Sequence, residues 1–162
     1  MSKMTIVKEA AEKAMAAESD RTQQLSGRAE KLVAGIIIVT GFQLLDTPTL
    51  LDASSSPVKV TCYLSLAALA LAALLGFWSL RLKGYAGYPR GEKLWETLKS
   101  EDVSEEAAEQ AVIQLLLKNR EQNAKLNDAK TGSVFWCGWL LFAGIVLVMA
   151  SHLLDALANM SS

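Results

Sequence analysis

Three stretches without Asp, Glu, Lys or Arg, Leu32–Leu45, Val60–Leu80 and Val134–Leu154, constrain this chain more than any other feature. Polar sequence separates them, so 51% hydrophobic and 20% charged residues coexist in one chain by segregation along its length. Crossing a bilayer core of about 30 Å takes roughly 20 apolar helical residues. The second and third stretches meet that length, and the one histidine, His152, lies near an end. Buried soluble helices are the competing explanation, but a chain this short cannot wrap three helices that are apolar on every face. Leu32–Leu45 covers only about 21 Å at 1.5 Å per residue. Snorkelling of Arg28 and Lys31, with Asp46–Leu51 added at the far interface, extends it to a full span. A signal peptide cleaved near Ala53–Ser55 would need a shorter and less acidic leader than residues 1–31.

Basic residues orient such a chain, because cytoplasmic segments carry the excess of Lys and Arg. Residues 1–31 hold six, residues 81–133 hold nine, residues 46–59 hold Lys59 alone and residues 155–162 hold none, which accounts for all 16. Three spans put both basic segments on one side, so the N-terminus is expected in the cytoplasm and the C-terminus outside. Phe77, Trp78, Phe135, Trp136 and Trp139 cluster at the cytoplasmic ends of spans two and three, with Tyr85 and Tyr88 beyond them. Amphipathic rings favour that headgroup level.

The expected fold is all-α: an integral membrane helical protein with three transmembrane helices and a cytoplasmic helical stalk. A cytoplasmic helix covers 1–31, the first span 32–51 and a short outer loop 52–59. The second span covers 60–80, a cytoplasmic loop with a long helix 81–133, the third span 134–156 and an outer tail 157–162. Residues Thr5–Lys31 are rich in helix formers and lack proline. Gly and Pro crowd residues 83–91 and break structure there, and Glu92–Lys99 reads as a short helix. Asp102-Val-Ser-Glu105 resembles a capping box opening a helix to Lys130. Ala108, Val112, Leu115, Leu126 and Ala129 keep an a/d spacing there, with Asn119 and Gln122 in the seam. That seam fits a contact within one subunit or between subunits. Gly132 is the one candidate break between this helix and the third span, and two long helices, about 4–45 and 104–156, are the expected frame.

Chemistry is harder to find. The chain has no Gly-rich phosphate loop, no H-E-x-x-H and no Cys-x-x-Cys. Cys62 and Cys137 fall near opposite membrane faces, too far apart for a disulfide, and two cysteines with one histidine offer no metal-ligand spacing. Ser151 and Asp155 flank His152 as an interfacial polar cluster. No enzyme activity, metal or cofactor is therefore expected. Residues 81–133 carry nine acidic and nine basic side chains, a poor surface for nucleic acid. Thr40 and Gln43 share a face of span one and are candidate pore-lining residues if several copies surround a lumen; bonding to neighbouring helices is the plainer role. Ala68, Ala72 and Gly76, four residues apart, are the candidate helix-packing face of span two.

Arg21-Thr-Gln-Gln-Leu-Ser-Gly-Arg-Ala-Glu-Lys31 before the first span, and Asn123-Ala-Lys-Leu-Asn-Asp-Ala-Lys130 before the last, resemble the SLATT domain and the related membrane effector domain of Pycsar anti-phage systems. The resemblance implies long helices running from cytoplasm into membrane, and a bacterial inner-membrane effector that oligomerises and compromises the membrane on a signal. It marks Arg21, Arg28, Asn123 and Lys130 as candidate stalk contacts beside Asn119 and Gln122. The chain departs from the pattern in having no nucleotide-sensing domain, so a separate cytoplasmic sensor protein would supply the signal. Membrane lipid and further copies of the chain are the other expected partners. The rival expectation is a non-enzymatic scaffold or accessory subunit of a larger membrane complex. The orientation has a direct check. A thiol reagent that cannot cross the membrane should label Ser55→Cys in intact cells but Ser104→Cys only after permeabilisation; the reverse pattern inverts the topology.

Overall fold

A computed structural model describes residues 3–53, 56–82 and 104–160, and among them every element is an α-helix. The helices are α1 (Lys3–Ala53), α2 (Ser56–Arg81) and α3 (Glu105–Met160). Each contains a stretch long and apolar enough to cross a membrane. The turn at 83–91, the helix proposed for Glu92–Lys99, Asp102, Trp95, Tyr85 and Tyr88 lie outside the described residues.

The helices extend further than the hydrophobic stretches indicate, and local chemistry explains where they end. α1 runs eight residues past Leu45 and carries Pro48 inside it. Proline removes one backbone donor and crowds the carbonyl four residues back. The Thr47 hydroxyl donates to the Gln43 carbonyl at 2.7 Å and the Thr49 hydroxyl to the Asp46 carbonyl at 2.8 Å, so side chains serve the backbone on both sides of the interruption. α2 opens on Ser56 with Pro57 in the next position, where a missing N–H costs nothing, and closes on Arg81, a cation at the negative end of the helix dipole. The expected outer loop of 52–59 is thus largely helical, with α1 reaching Ala53 and α2 starting at Ser56. Ser104 caps α3: its Oγ accepts from the Ala107 amide at 3.3 Å and its carbonyl from the Ala108 amide at 3.0 Å, with Glu105 and Glu106 in the first turn. Gly132, the one candidate break, does not interrupt α3, which runs through it as one long helix.

Contacts divide the chain into two compact units, Met1–Leu25 with Leu82–Lys130 and Ser26–Arg81 with Thr131–Ser162. In the first, Ala11, Met15 and Leu116 form the core, with Val112 against it. Burying Met15 and Leu116 stabilises this pair by about 1.5–3 kcal/mol each. The α3 seam is offset from the expected one. Val112, Asn119 and Leu126 are half-buried as the a/d pattern requires, but their partners are Leu116, Asn123 and Lys130, each one residue beyond Leu115, Gln122 and Ala129. Gln122 and Ala129 are exposed.

The second unit packs all three helices. Ile36, Ala72 and Cys137 make one buried cluster, and Leu50, Val58 and Cys62 another. The buried face of α2 is Val58, Cys62, Ser65, Leu69, Ala72, Gly76 and Ser79. Steps alternating four and three are those of left-handed, knobs-into-holes packing. On α3, Cys137, Gly144 and Ser151 are buried at seven-residue steps. Two glycines let side chains of a neighbouring helix seat against the helix backbone. A Cβ at Gly76 would lie 2.7 Å from Val33 Cγ2, and one at Gly144 2.7 Å from Leu69 Cδ2. Gly41 has open space at the same position. Gly76→Ala and Gly144→Ala should each destabilise the protein by about 1–3 kcal/mol through overpacking, while Gly41→Ala should be neutral or better. Thermal unfolding in detergent checks this; equal melting of all three variants would contradict the packing.

Candidate functional site

Buried polar side chains are the unusual feature of each unit, because burying a polar group without a partner costs free energy. In the first unit they knit α1 to α3. The Asn127 side-chain amide donates to the Glu18 carbonyl at 3.1 Å and to Glu18 Oε2 at 2.8 Å, and its Oδ1 accepts from the Thr22 hydroxyl at 2.9 Å. Thr22 Oγ1 also lies 2.8 Å from the Glu18 carbonyl. Arg21 reaches Asp128 at 2.8 Å and Glu18 at 3.7 Å. Asn123, Asn127 and Lys130 are buried at 1%, 2% and 5% exposure. Asparagine in a helix seam fixes register, because only one alignment satisfies its amide. Of the stalk candidates, Arg21, Asn123 and Lys130 lie in this unit at or beside the seam and Asn119 is half-buried; Gln122 is exposed, and Arg28 is exposed in the second unit. Glu18, Thr22 and Asn127 were not singled out from sequence. Their signal was present as polar residues four apart, Glu18-x-x-x-Thr22 and Asn123-x-x-x-Asn127, which put like groups on one helix face.

The second unit buries polar groups among apolar ones. Gln43 is fully buried and its amide donates to Cys62 Sγ at 3.3 Å, with Thr47 Oγ1 3.9 Å from the same sulfur. Cys137 Sγ donates to the Ala72 carbonyl at 3.3 Å. Ser65 and Ser151 bond back to the carbonyls of Cys62 and Val148 at 2.7 Å. Thr40 Oγ1, Gln43 Oε1 and Ser79 Oγ are buried with no hydrogen-bond partner among the described residues. Gln43, proposed for a pore wall, thus sits inside the helices of a single chain, and Thr40 is half-buried three residues before it. In the small-residue face of α2, Ala72 and Gly76 lie on the buried stripe, whereas Ala68 is half-buried beside it. Cys62 and Cys137 are both free and buried in separate clusters. His152 pairs with Asp46 of α1 at 3.6 Å, while Ser151 turns inward and Asp155 accepts from Asn159 at 3.3 Å.

Charge on the surface matters less. Lys125 lies 2.8 Å from Glu121, and that hydrogen bond, then the attraction of the ammonium, hold the Glu121 carboxyl below the ordinary carboxylate range. A depressed folded-state pKa stabilises at pH above the ordinary value, and the gain is lost as pH falls through the lowered one. Both side chains are well exposed, so solvent screens the pair. The seam therefore sets an order of effects. Asn127→Ala removes the hydrogen bonds that join it to Glu18 and Thr22 and should cost about 1–3 kcal/mol. Arg21→Ala breaks a pair whose Asp128 is 69% exposed and should cost less than about 1 kcal/mol. Glu121→Gln should leave the melting temperature unchanged at neutral pH. Denaturation of the three variants tests the ranking, which fails if Arg21→Ala is the most damaging.

No protein-family model, no curated protein and no solved structure matches this chain.

Proposed function

We propose that the chain is a multi-pass protein of a bacterial inner membrane, with its first unit in the cytoplasm, that assembles into an oligomer and perturbs the membrane on a signal, as an effector in anti-phage defence would. Three helices of membrane-crossing length and composition support the location. The segregation of Lys and Arg supports the orientation. The observation that carries the effector reading is the pair Thr40 and Gln43, whose Oγ1 and Oε1 atoms are buried without partners inside the second unit. In hydrocarbon such atoms are costly, so their burial lowers the cost of passing to an arrangement in which copies assemble and these atoms gain water or a new partner. The polar seam of the first unit, which fixes how α1 meets α3, is where a sensor protein would act.

Expression in bacteria tests the proposal. The wild type should arrest growth and depolarise the inner membrane. Thr40→Val with Gln43→Leu removes both open atoms and should cut depolarisation by about tenfold or more at equal protein in the membrane, because it removes two buried polar costs of about 1–3 kcal/mol each that favour opening. A harmless wild type, or a double variant as active as the wild type, defeats it.

A second reading is a non-enzymatic scaffold or accessory subunit. Its support is apolar surface on the first unit: Ile6 is 55% exposed, Val7 48% and Leu117 45%. A scaffold would be harmless alone and would co-purify with a cytoplasmic partner that Leu117→Glu releases.

A further inference from the structure

The face of α3 around Gly138 carries a notch that no described helix fills. Val134, Phe135, Gly138, Trp139 and Phe142 line an open groove of about 390 Å³. Phe135, Trp139 and Phe142 stack edge to face along it, with ring centroids 6.3 and 6.0 Å apart. A Cβ at Gly138 would meet nothing within 4 Å, so the missing side chain is what opens the notch.

The position of the groove relative to charge follows from contacts within the second unit. Gly35 of α1 faces Leu141 of α3, and Asp46 faces His152, both 106 residues apart, so the two helices run parallel at constant register. Residues three, four and seven apart share a helix face. Going back from Leu141 on its face are Gly138 and Val134; going back from Gly35 on its face are Lys31 and Arg28. The constant register puts Arg28 level with Val134 and Lys31 level with Cys137, on the flank of α1 that adjoins the groove. Both cations are exposed. Arg81 ends α2 at the same level, because Gly76 adjoins Val33 and the two helices run opposite ways. Glu30 is the one acid among these positions, whereas the far end of the unit carries Asp46, Asp52 and Asp155 against Lys59.

An apolar slot with an aromatic wall, at the level of two exposed cations on the neighbouring helix, has the chemistry of an acyl chain joined to a phosphate. We infer that the groove around Gly138 seats one acyl chain of an anionic phospholipid whose headgroup phosphate meets Arg28 and Lys31. The inference rests on the membrane location proposed above and is independent of the effector reading. Each cation near an anionic headgroup strengthens binding several-fold.

Native mass spectrometry of the full chain in mild detergent, titrated with phosphatidylglycerol or phosphatidylcholine of identical acyl chains, tests it. The wild type should retain phosphatidylglycerol about tenfold more tightly, since two cations each contribute to the difference. Arg28→Gln with Lys31→Gln should bring the two lipids to parity. Gly138→Leu should weaken retention of both lipids and leave the mass of the protein assembly unchanged. Equal retention by the wild type, or an undiminished preference in the double variant, overturns the inference. So does a change of assembly mass in Gly138→Leu, which assigns the groove to a second copy, and so does displacement of the lipid by inorganic phosphate alone. A chain that stays soluble without detergent overturns the membrane reading itself, an outcome distinct from a lost lipid preference.

Discussion

Seating of the Val33 and Leu69 side chains against the bare backbone at Gly76 and Gly144 is the contact on which the packing of the second unit depends. Helices that face hydrocarbon gain little from hiding apolar surface against one another, since lipid tails are as apolar as leucine. What remains is dispersion, summed over many contacts at optimal distance. Gly76 lets Val33 and Cys137 reach α2, and Gly144 admits Leu69. Small residues elsewhere on the same stripe, Cys62, Ser65, Ala72 and Ser79, extend the approach along α2. Large side chains such as Leu74, Phe77, Trp139 and Phe142 are left exposed on the outside of the helices.

The two units use different means to the same end. The first has a small apolar core at Ala11, Met15 and Leu116, and it adds amide hydrogen bonds that demand one alignment. Asn127 fastens Glu18 and Thr22 directly, whereas the Arg21–Asp128 pair at the edge adds charge that water largely screens. Specificity of register thus comes from a neutral amide, and the ion pair contributes less. In the second unit apolar contact sets the alignment, and polar atoms such as Gln43 Oε1 are tolerated inside it.

Much of the architecture is legible in the sequence: each of the three uncharged stretches falls within one helix that is long and apolar enough to cross a membrane. Element ends were less legible. The first long helix reads as ending near Leu45, yet α1 passes Pro48, with Thr47 and Thr49 beside the proline serving carbonyls on either side of it. The α3 seam was misplaced by one residue at Leu115, Gln122 and Ala129. Leu115, Leu116 and Leu117 are consecutive, so apolar character alone cannot choose among them, and the deciding residues, Asn123 and Lys130, are polar side chains that a hydrophobicity pattern assigns to solvent. Of the α2 residues at steps of four, Ala72 and Gly76 are buried and Ala68 is not. The alternating step through Ser65, Leu69, Ala72, Gly76 and Ser79 is visible once serine counts as a small residue. Gln43 was legible as a polar group in a span, but its burial against Cys62 depends on how α1 meets α2 and has no local signal.

The parallel pairing of α1 with α3 bears on biogenesis. Residues that meet across that pair are 105 to 109 positions apart in the first unit, whereas α1 and α2 are separated only by residues 54 and 55. A ribosome releases the chain from the N-terminus, and distant pairings wait for their partner to be made. The antiparallel hairpin of α1 and α2 can therefore close early, around Gln43 and Cys62. Throughout that interval Met15, Glu18 and Thr22 have no α3 to meet. Residues 105–130 emerge before the stretch Val134–Leu154, so the amide seam is available to form while the last apolar segment is still leaving the ribosome. The order of synthesis thus gives the polar alignment a chance to position α3 before its apolar half must choose a neighbour.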